Sequence, residues 1–322
     1  MSGFKLPTEK HLMLFSGRAY PELAEEIAKL MDTELVPTRH VTYANSEIYV
    51  QYLESVRGSD AFVIQSHAAP VNESLMEQLI MIDALKRASA KRITVVVPFY
   101  PYARQDKKHL GREPISARLV ADLFRAAGAD RIMSIDLHAA QIQGFFDGPV
   151  DHLWGLPVLA EYVKGKYDTD EMTVVSPDAG RVRLADMWTD RLGSRLAIIH
   201  KRRDPSVANT VAVHEVVGDV EGRVCVLVDD MIDTAGTICQ AAEALIDRGA
   251  KKVIAAATHA VLSGPAAERL NDSPFEEVIV CNTLPIRTPV PVDKLTVLSI
   301  APMLAQAIHE VFEDGSVTKL FR

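Results

Sequence analysis

Cysteine is scarce. The chain of 322 residues has three, Cys225, Cys239 and Cys281. The number is odd, and the spacings fit neither a zinc site nor a disulfide framework. Cys225 sits in an apolar run and reads as a small buried hydrophobe, which points to a reducing compartment. Basic charge is also lacking. The formal net charge is −8, which argues against a general nucleic-acid binder, whose footprint is basic. Small anionic substrates stay open, because a local cationic cluster can hold them. Long apolar runs are absent as well: none approaches the roughly 18 residues of a membrane helix. The N-terminal Met-Ser-Gly-Phe-Lys-Leu-Pro-Thr-Glu-Lys lacks the apolar core of a signal peptide. The expectation is a cytoplasmic protein with neither nucleic acid nor membrane as partner. Low-complexity segments and internal repeats are missing too, which sets aside repeat architectures.

What is present is ordinary for a globular protein, with 48% hydrophobic and 24% charged residues, at a length that suits two cores. Short β-branched runs alternate with segments of helical period. Strands are expected at 11–15, 61–64, 93–97 and 132–135. Helices are expected from Pro21, over 75–85 with the stripe Leu75, Leu79, Ile82 and Leu85, and over 115–123 after Pro114. After Gly144-Phe-Phe-Asp-Gly148 the pattern restarts. Strands follow at 172–175, 196–199, 224–228 and 253–257, with helices near 157–163, 183–192 and 238–248, the last stopped by Gly249. Such alternation implies parallel sheets flanked by helices. We expect two α/β domains, 1–152 and 153–301, with 302–322 as a C-terminal helix that could return to the first.

The most informative segment is Val224-Cys-Val-Leu-Val-Asp-Asp-Met-Ile-Asp-Thr-Ala-Gly-Thr237. It is a buried strand, two adjacent acids, a small-residue loop and a helix start. Ligands bind at the carboxyl ends of strands in open α/β sheets. There, Asp229 and Asp230 can accept hydrogen bonds from vicinal sugar hydroxyls. Asp233, Thr234, Ala235, Gly236 and Thr237 offer backbone N–H groups, two hydroxyls and room for close approach, at a helix N-terminus that favours phosphate. The structural alternative is a plain strand-to-helix turn with Asp233 or Thr234 as N-cap. The segment resembles the ribose 5-phosphate loop of the type I phosphoribosyltransferase fold. That fold serves both the transferases and the pyrophosphokinases that make their donor.

Five further strings are similar to the second class. Pro98-Phe-Tyr-Pro-Tyr-Ala-Arg-Gln-Asp-Lys-Lys108 resembles the ATP-binding segment of ribose-phosphate pyrophosphokinases, with Arg104 and Gln105 matching residues that contact ATP. Arg104, Lys107, Lys108 and Arg112 suit a triphosphate; a solvated loop is the bland reading. Ser134-Ile-Asp-Leu-His-Ala-Ala-Gln-Ile-Gln-Gly-Phe-Phe146 resembles the segment whose histidine lies at the Mg²⁺–ATP site, which puts His138 there. Asp136 and His138 would share a face if the strand persisted. Val174-Val-Ser-Pro-Asp-Ala-Gly180 places the family's metal-linked aspartate at Asp178, although Arg181 stands where the family usually has a second glycine. By position alone Asp178 could equally cap a helix.

Ile199-His-Lys-Arg-Arg203 matches cations at the reacting centre. The resemblance assigns Lys201 the catalytic role and Arg203 the ribose phosphate side. A flap, 204–221, follows. Tyr43-Ala-Asn-Ser-Glu47 stands where the family commonly has Phe-x-Asp-Gly-Glu, so Asn45, Ser46 and Glu47 map to an adenine pocket, with an edge-strand bend as the alternative. The resemblance implies two phosphoribosyltransferase-like domains, ATP and ribose 5-phosphate as substrates, and Mg²⁺. It also implies phosphate and ADP as effectors and a homohexamer. A phosphoribosyltransferase and a non-catalytic regulatory homologue are the competing readings.

Overall fold

A computed structural model of the chain describes residues 10–202 and 213–321. The chain divides into two compact units, Met1–Leu153 with Ala301–Arg322, and Trp154–Ile300.

The first unit runs β1 (Leu12–Ser16), α1 (Pro21–Leu30), β2 (Thr38–Thr42), β3 (Ile48–Tyr52), β4 (Asp60–Ile64), α2 (Val71–Arg87), β5 (Arg92–Val97), α3 (Ser116–Ala127), β6 (Arg131–Ile135) and β7 (Val150–Leu153). Strands β1-β4-β5-β6-β7 form a parallel five-stranded sheet, and β2 and β3 pair as a separate antiparallel hairpin. The central strands are continuous apolar runs because both of their faces are covered; every residue of β4 is buried. One core gathers Phe15, Val63 and Val95 from the sheet with Leu85 and Phe124 from α2 and α3 and Val50 from the hairpin.

The second unit runs α4 (Leu156–Lys166), β8 (Met172–Ser176), α5 (Val182–Leu192), β9 (Arg195–Arg202), β10 (Val213–Val217), β11 (Val224–Ile232), α6 (Gly236–Asp247), β12 (Lys252–Ala260), α7 (Ala266–Asp272), β13 (Glu277–Cys281) and β14 (Leu295–Leu298). Its seven-stranded sheet has the order β10-β9-β8-β11-β12-β13-β14, parallel except for β10. From β8 the chain winds outward to β9; from β11 it winds the other way to β14. The order therefore reverses between β8 and β11, the topological switch point of this sheet. A final helix, α8 (Ala301–Phe312), packs on α1 of the first unit. Beyond it, Asp314 pairs with Lys10 at 2.6 Å and with Arg92 at 2.8 Å.

The expected architecture, two mostly parallel sheets flanked by helices, is the one adopted. One local expectation changes: strand β11 continues through both acids to Ile232 rather than ending at Val228. Strand β6 stops at Ile135 as expected, and Asp136 takes a left-handed φ of 38°, so the condition for Asp136 and His138 to share a strand face is not met. Among the described residues no helix is long and apolar enough to cross a membrane.

Buried Glu277 ties the second unit together. Its carboxylate accepts from the Tyr162, Tyr167 and Thr296 hydroxyls, each at 2.6 Å, and from Lys166 Nζ at 2.9 Å. Burial pushes its pKa up, but these four donors outweigh burial and hold it at about 2. A depressed carboxylate stabilises the fold above its ordinary value and loses that stabilisation as pH falls through the folded value. Glu277→Ala is therefore expected to cost about 3 kcal/mol at neutral pH, read by urea denaturation. The gap to the unsubstituted protein should close as pH falls from 4.5 towards about 2.

Candidate active site

The site grows from the switch point. Pairing of β8 with β11 stops at Val175↔Leu227, before the two acids, so the strands part at their carboxyl ends. After β8, Asp178 is extended, and its Oδ1 accepts the backbone N–H groups of Gly180 at 2.8 Å and Arg181 at 3.1 Å. It caps the short turn Ala179–Arg181 that leads into α5, not α5 itself, whose N-cap is Arg181. That cap aims Arg181 across to β11. Its Nε lies 2.8 Å from Asp229 Oδ1 and its Nη2 lies 2.7 Å from Asp230 Oδ1. Asp229 Oδ1 also accepts the Asp230 N–H at 2.8 Å. Side-chain exposures are 19% for Arg181, 23% for Asp229 and 7% for Asp230. Burial first, and then the Asp230 carboxylate, push the Asp229 carboxyl well above the usual range, against the pull of Arg181.

Beyond Ile232 the chain turns sharply. Ala235 is left-handed, at φ 58°, and α6 starts at Gly236 with no side chain capping its N-terminus. Neither Asp233 nor Thr234 takes the capping role. Asp233 instead accepts from the Ser263 hydroxyl, and the Thr234 carbonyl accepts from Arg269 Nη1 at 2.9 Å. A Cβ on Gly236 would stand 3.1 Å from that Arg269 nitrogen, so glycine there lets the arginine approach. The loop is braced from the β12–α7 side. Thr234 and Thr237 are exposed, and the first N–H groups of α6 have no side-chain acceptor. Such a helix start is physically able to receive an anion.

Lys201 lies in β9, paired with His214 of β10. The Lys201 side chain, Arg203 and residues 204–212 of the expected flap lie outside the described residues.

The first unit carries the remaining predicted residues on three segments. Arg104 and Gln105 follow β5 and are exposed. Gln105 N–H donates to the Tyr102 carbonyl at 2.9 Å, and its Oε1 accepts from Ser116 Oγ at 2.7 Å. Asp106, the one acid of the stretch, is buried against Gln141, while Lys107, Lys108 and Arg112 are exposed. The surface of this segment is therefore cationic. His138 follows β6 and is half-buried. The N–H of its neighbour Leu137 donates to His152 Nε2 at 3.0 Å, so β7 fixes the segment. Asn45, Ser46 and Glu47 form the exposed turn of the β2–β3 hairpin. There Glu47 N–H donates to Asn45 Oδ1 at 3.2 Å, and Ser46 is left-handed at φ 72°. The alternative reading of this string as a bend between strands is realised.

In the second unit the structure brings Asp178, Asp229, Asp230 and the Asp233–Thr237 loop to one sheet end and adds Arg181, Ser263 and Arg269 there. In the first unit, separately, it adds His152 beside the His138 segment. Sequence reasoning placed none of these additions in a site. Arg181 alone left a signal, as a departure from glycine. Among the described residues no cluster of three or more His, Cys, Asp or Glu could hold a metal by itself.

Comparison with known proteins fits this geometry. The family of the N-terminal domain of ribose phosphate pyrophosphokinase matches residues 12–128, and the phosphoribosyl synthetase-associated domain matches 205–322. A ribose-phosphate pyrophosphokinase of Streptomyces coelicolor is 67% identical over 321 residues, covering 100% of this chain and 99% of that one. The chain belongs to the ribose-phosphate pyrophosphokinase family. The member from Mycobacterium tuberculosis is 63% identical over 313 residues, 97% of this chain and 96% of that one. The crystal structure of phosphoribosylpyrophosphate synthetase from Mycobacterium smegmatis superposes with a TM-score of 0.90 at 60% identity, covering 95% of this chain and all of that one.

The left-handed positions of this pyrophosphokinase chain are testable. At Ala235 a β-branched side chain is strained, so Ala235→Val is expected to lower stability by about 1–2 kcal/mol. At exposed Ser46 no packing is lost, so Ser46→Gly should raise stability by about 0.5–1 kcal/mol. Thermal unfolding of both variants checks the opposite signs.

Proposed function

We propose that the chain transfers a diphosphate group from ATP to the anomeric oxygen of ribose 5-phosphate, releasing AMP and 5-phospho-α-D-ribose 1-diphosphate. The observation that carries this reading is an uncapped, left-handed loop at a helix start, next to a buried carboxylate pair at the switch point. It occurs in a chain whose family membership spans its length.

In this reading the 5-phosphate sits on the N–H groups and hydroxyls of Asp233, Thr234, Ala235, Gly236 and Thr237, with Arg203 on the same side. The vicinal hydroxyls donate to Asp229 and Asp230. Arg104 and Gln105 hold the ATP phosphates, and Asn45, Ser46 and Glu47 belong to an adenine pocket. The anomeric oxygen attacks the β-phosphorus and AMP leaves. The chain's contribution is positioning and charge neutralisation. Lys201 stabilises the transferring group; we assign no general base.

Asp178 has one oxygen committed to its cap, His138 is half-buried, and the described residues offer no ready-made cage. Asp178 and His138 are each a single potential ligand on its own unit, which suits a cation that takes most of its ligands from phosphates and water, as Mg²⁺ does. His138 and Asp178 are the residues we assign to it, and bound there it supplies further neutralisation of phosphate charge. Phosphate and ADP as effectors, a homohexamer and a cytoplasmic location complete the proposal. A phosphoribosyltransferase has no need of the Arg104–Lys108 segment. A non-catalytic regulatory homologue would be expected to lose residues that are all present here.

The direct test is incubation of the purified protein with Mg²⁺, ATP and ribose 5-phosphate. AMP formed only when the sugar phosphate is present supports the reading; ADP would mean γ-phosphoryl transfer and contradict it. Lys201→Ala is expected to lower kcat by about 10²–10³-fold while leaving ribose 5-phosphate affinity within about threefold. Equal losses in both would remove its assigned role.

A further inference from the structure

We infer that Arg181 is a positioning residue of the sugar site: its guanidinium holds the Asp229 and Asp230 carboxylates together in the arrangement that receives the vicinal hydroxyls of ribose 5-phosphate. The inference deepens the proposed function and rests on the ribose 5-phosphate reading of that site.

The geometry makes the case. Consecutive residues of a strand send their side chains to opposite faces, and β11 runs through both acids. Left alone, Asp229 and Asp230 would not form a common acceptor surface. Two contacts overrule the alternation. Asp229 Oδ1 accepts the Asp230 N–H at 2.8 Å. A single guanidinium then spans the pair, Nε to Asp229 at 2.8 Å and Nη2 to Asp230 at 2.7 Å. This fork needs arginine, since a lysine ammonium is a point charge.

Charge points the same way. All three side chains are at least three-quarters buried. Two adjacent carboxylates at that depth tend to share a proton, and a protonated acid donates where a sugar hydroxyl needs an acceptor. Asp230 and Arg181 are the charged groups that weigh on Asp229. The arginine is itself fixed, because its N–H is capped by Asp178 at 3.1 Å. One turn thus links β8 to the acid pair of β11. A glycine at position 181 has no side chain to make this link.

The rival role is a latch that occupies the acids and must leave before the sugar binds. The two roles predict opposite signs. We would measure ribose 5-phosphate binding by calorimetry for the intact protein and for Arg181→Gln, Arg181→Gly and Arg181→Lys, with steady-state AMP formation alongside. Arg181→Gln and Arg181→Gly are expected to raise Kd and KM for ribose 5-phosphate by about tenfold or more. KM for ATP should stay within about twofold, and Arg181→Lys should recover part of the loss. Affinity of the Gln variant should also begin to fall at a higher pH on acidification than that of the intact protein, because the carboxylates lose the cation that favours their charged form.

Tighter binding by the Gln and Gly variants would overturn the inference in favour of the latch, and unchanged binding would overturn it in favour of neither role. Equal losses for both substrates, with an unmoved pH profile and no recovery by lysine, would reduce Arg181 to a structural part. If Gln and Gly fail to fold, the lysine variant still decides through its KM split. Arginine-dependent binding in a protein that forms no AMP would sink the proposed reaction but not this inference. Normal turnover with indifferent variants would do the reverse.

Discussion

Two neighbouring carboxylates buried at the end of a strand need a countercharge, and the C-terminal unit is arranged around supplying one. The cost of leaving such charges unpaired is several kcal/mol. The cation comes from the turn after β8, and it can reach because β8 and β11 part company at Val175↔Leu227. Sheet order, strand length and the Asp178 cap each serve that meeting. Arg181 lowers the cost of the acid pair by pairing one oxygen of each carboxylate.

The Asp233–Thr237 loop follows a complementary logic. The backbone donors at the start of α6 have no side-chain cap, while the residues that might have capped them are turned elsewhere. Asp233 is taken by Ser263, and the Thr234 carbonyl by Arg269. The left-handed Ala235 fixes the turn. A loop braced from outside and open inside keeps its donors for an anion. On the first unit charge is separated in a similar way, with Asp106 drawn in and its basic neighbours left exposed.

Much of this was legible in the sequence because periodicity reports burial. Continuous apolar runs such as Ile93–Val97 and Val224–Val228 are covered on both faces, and the helical stripe of α2 faces the core. Strand β2 was not legible, because it is short, mostly polar and half-exposed, whereas β3, Ile-Tyr-Val-Gln-Tyr, carries a strand signal in its β-branched and aromatic residues that went unread. Strands β7 and β14 are four residues each, too short for a period, and β13 is a brief apolar run that opens on a glutamate. The end of β6 at Ile135 was read correctly, whereas the left-handed Asp136 after it leaves no mark in composition. Site residues carried on strand ends were readable as motifs. Arg181, Ser263 and Arg269 were not, because their roles arise from contacts between elements distant in the chain.

The central claim is that the switch point of the second unit grips ribose 5-phosphate. Hydrogen–deuterium exchange with and without the sugar phosphate tests it most directly. The account predicts that ribose 5-phosphate alone slows exchange in peptides covering 229–240 and 176–184, with the segment 100–113 unaffected until ATP is added. Protection centred on 100–113, or no protection at 229–240 at saturating ribose 5-phosphate, would contradict it.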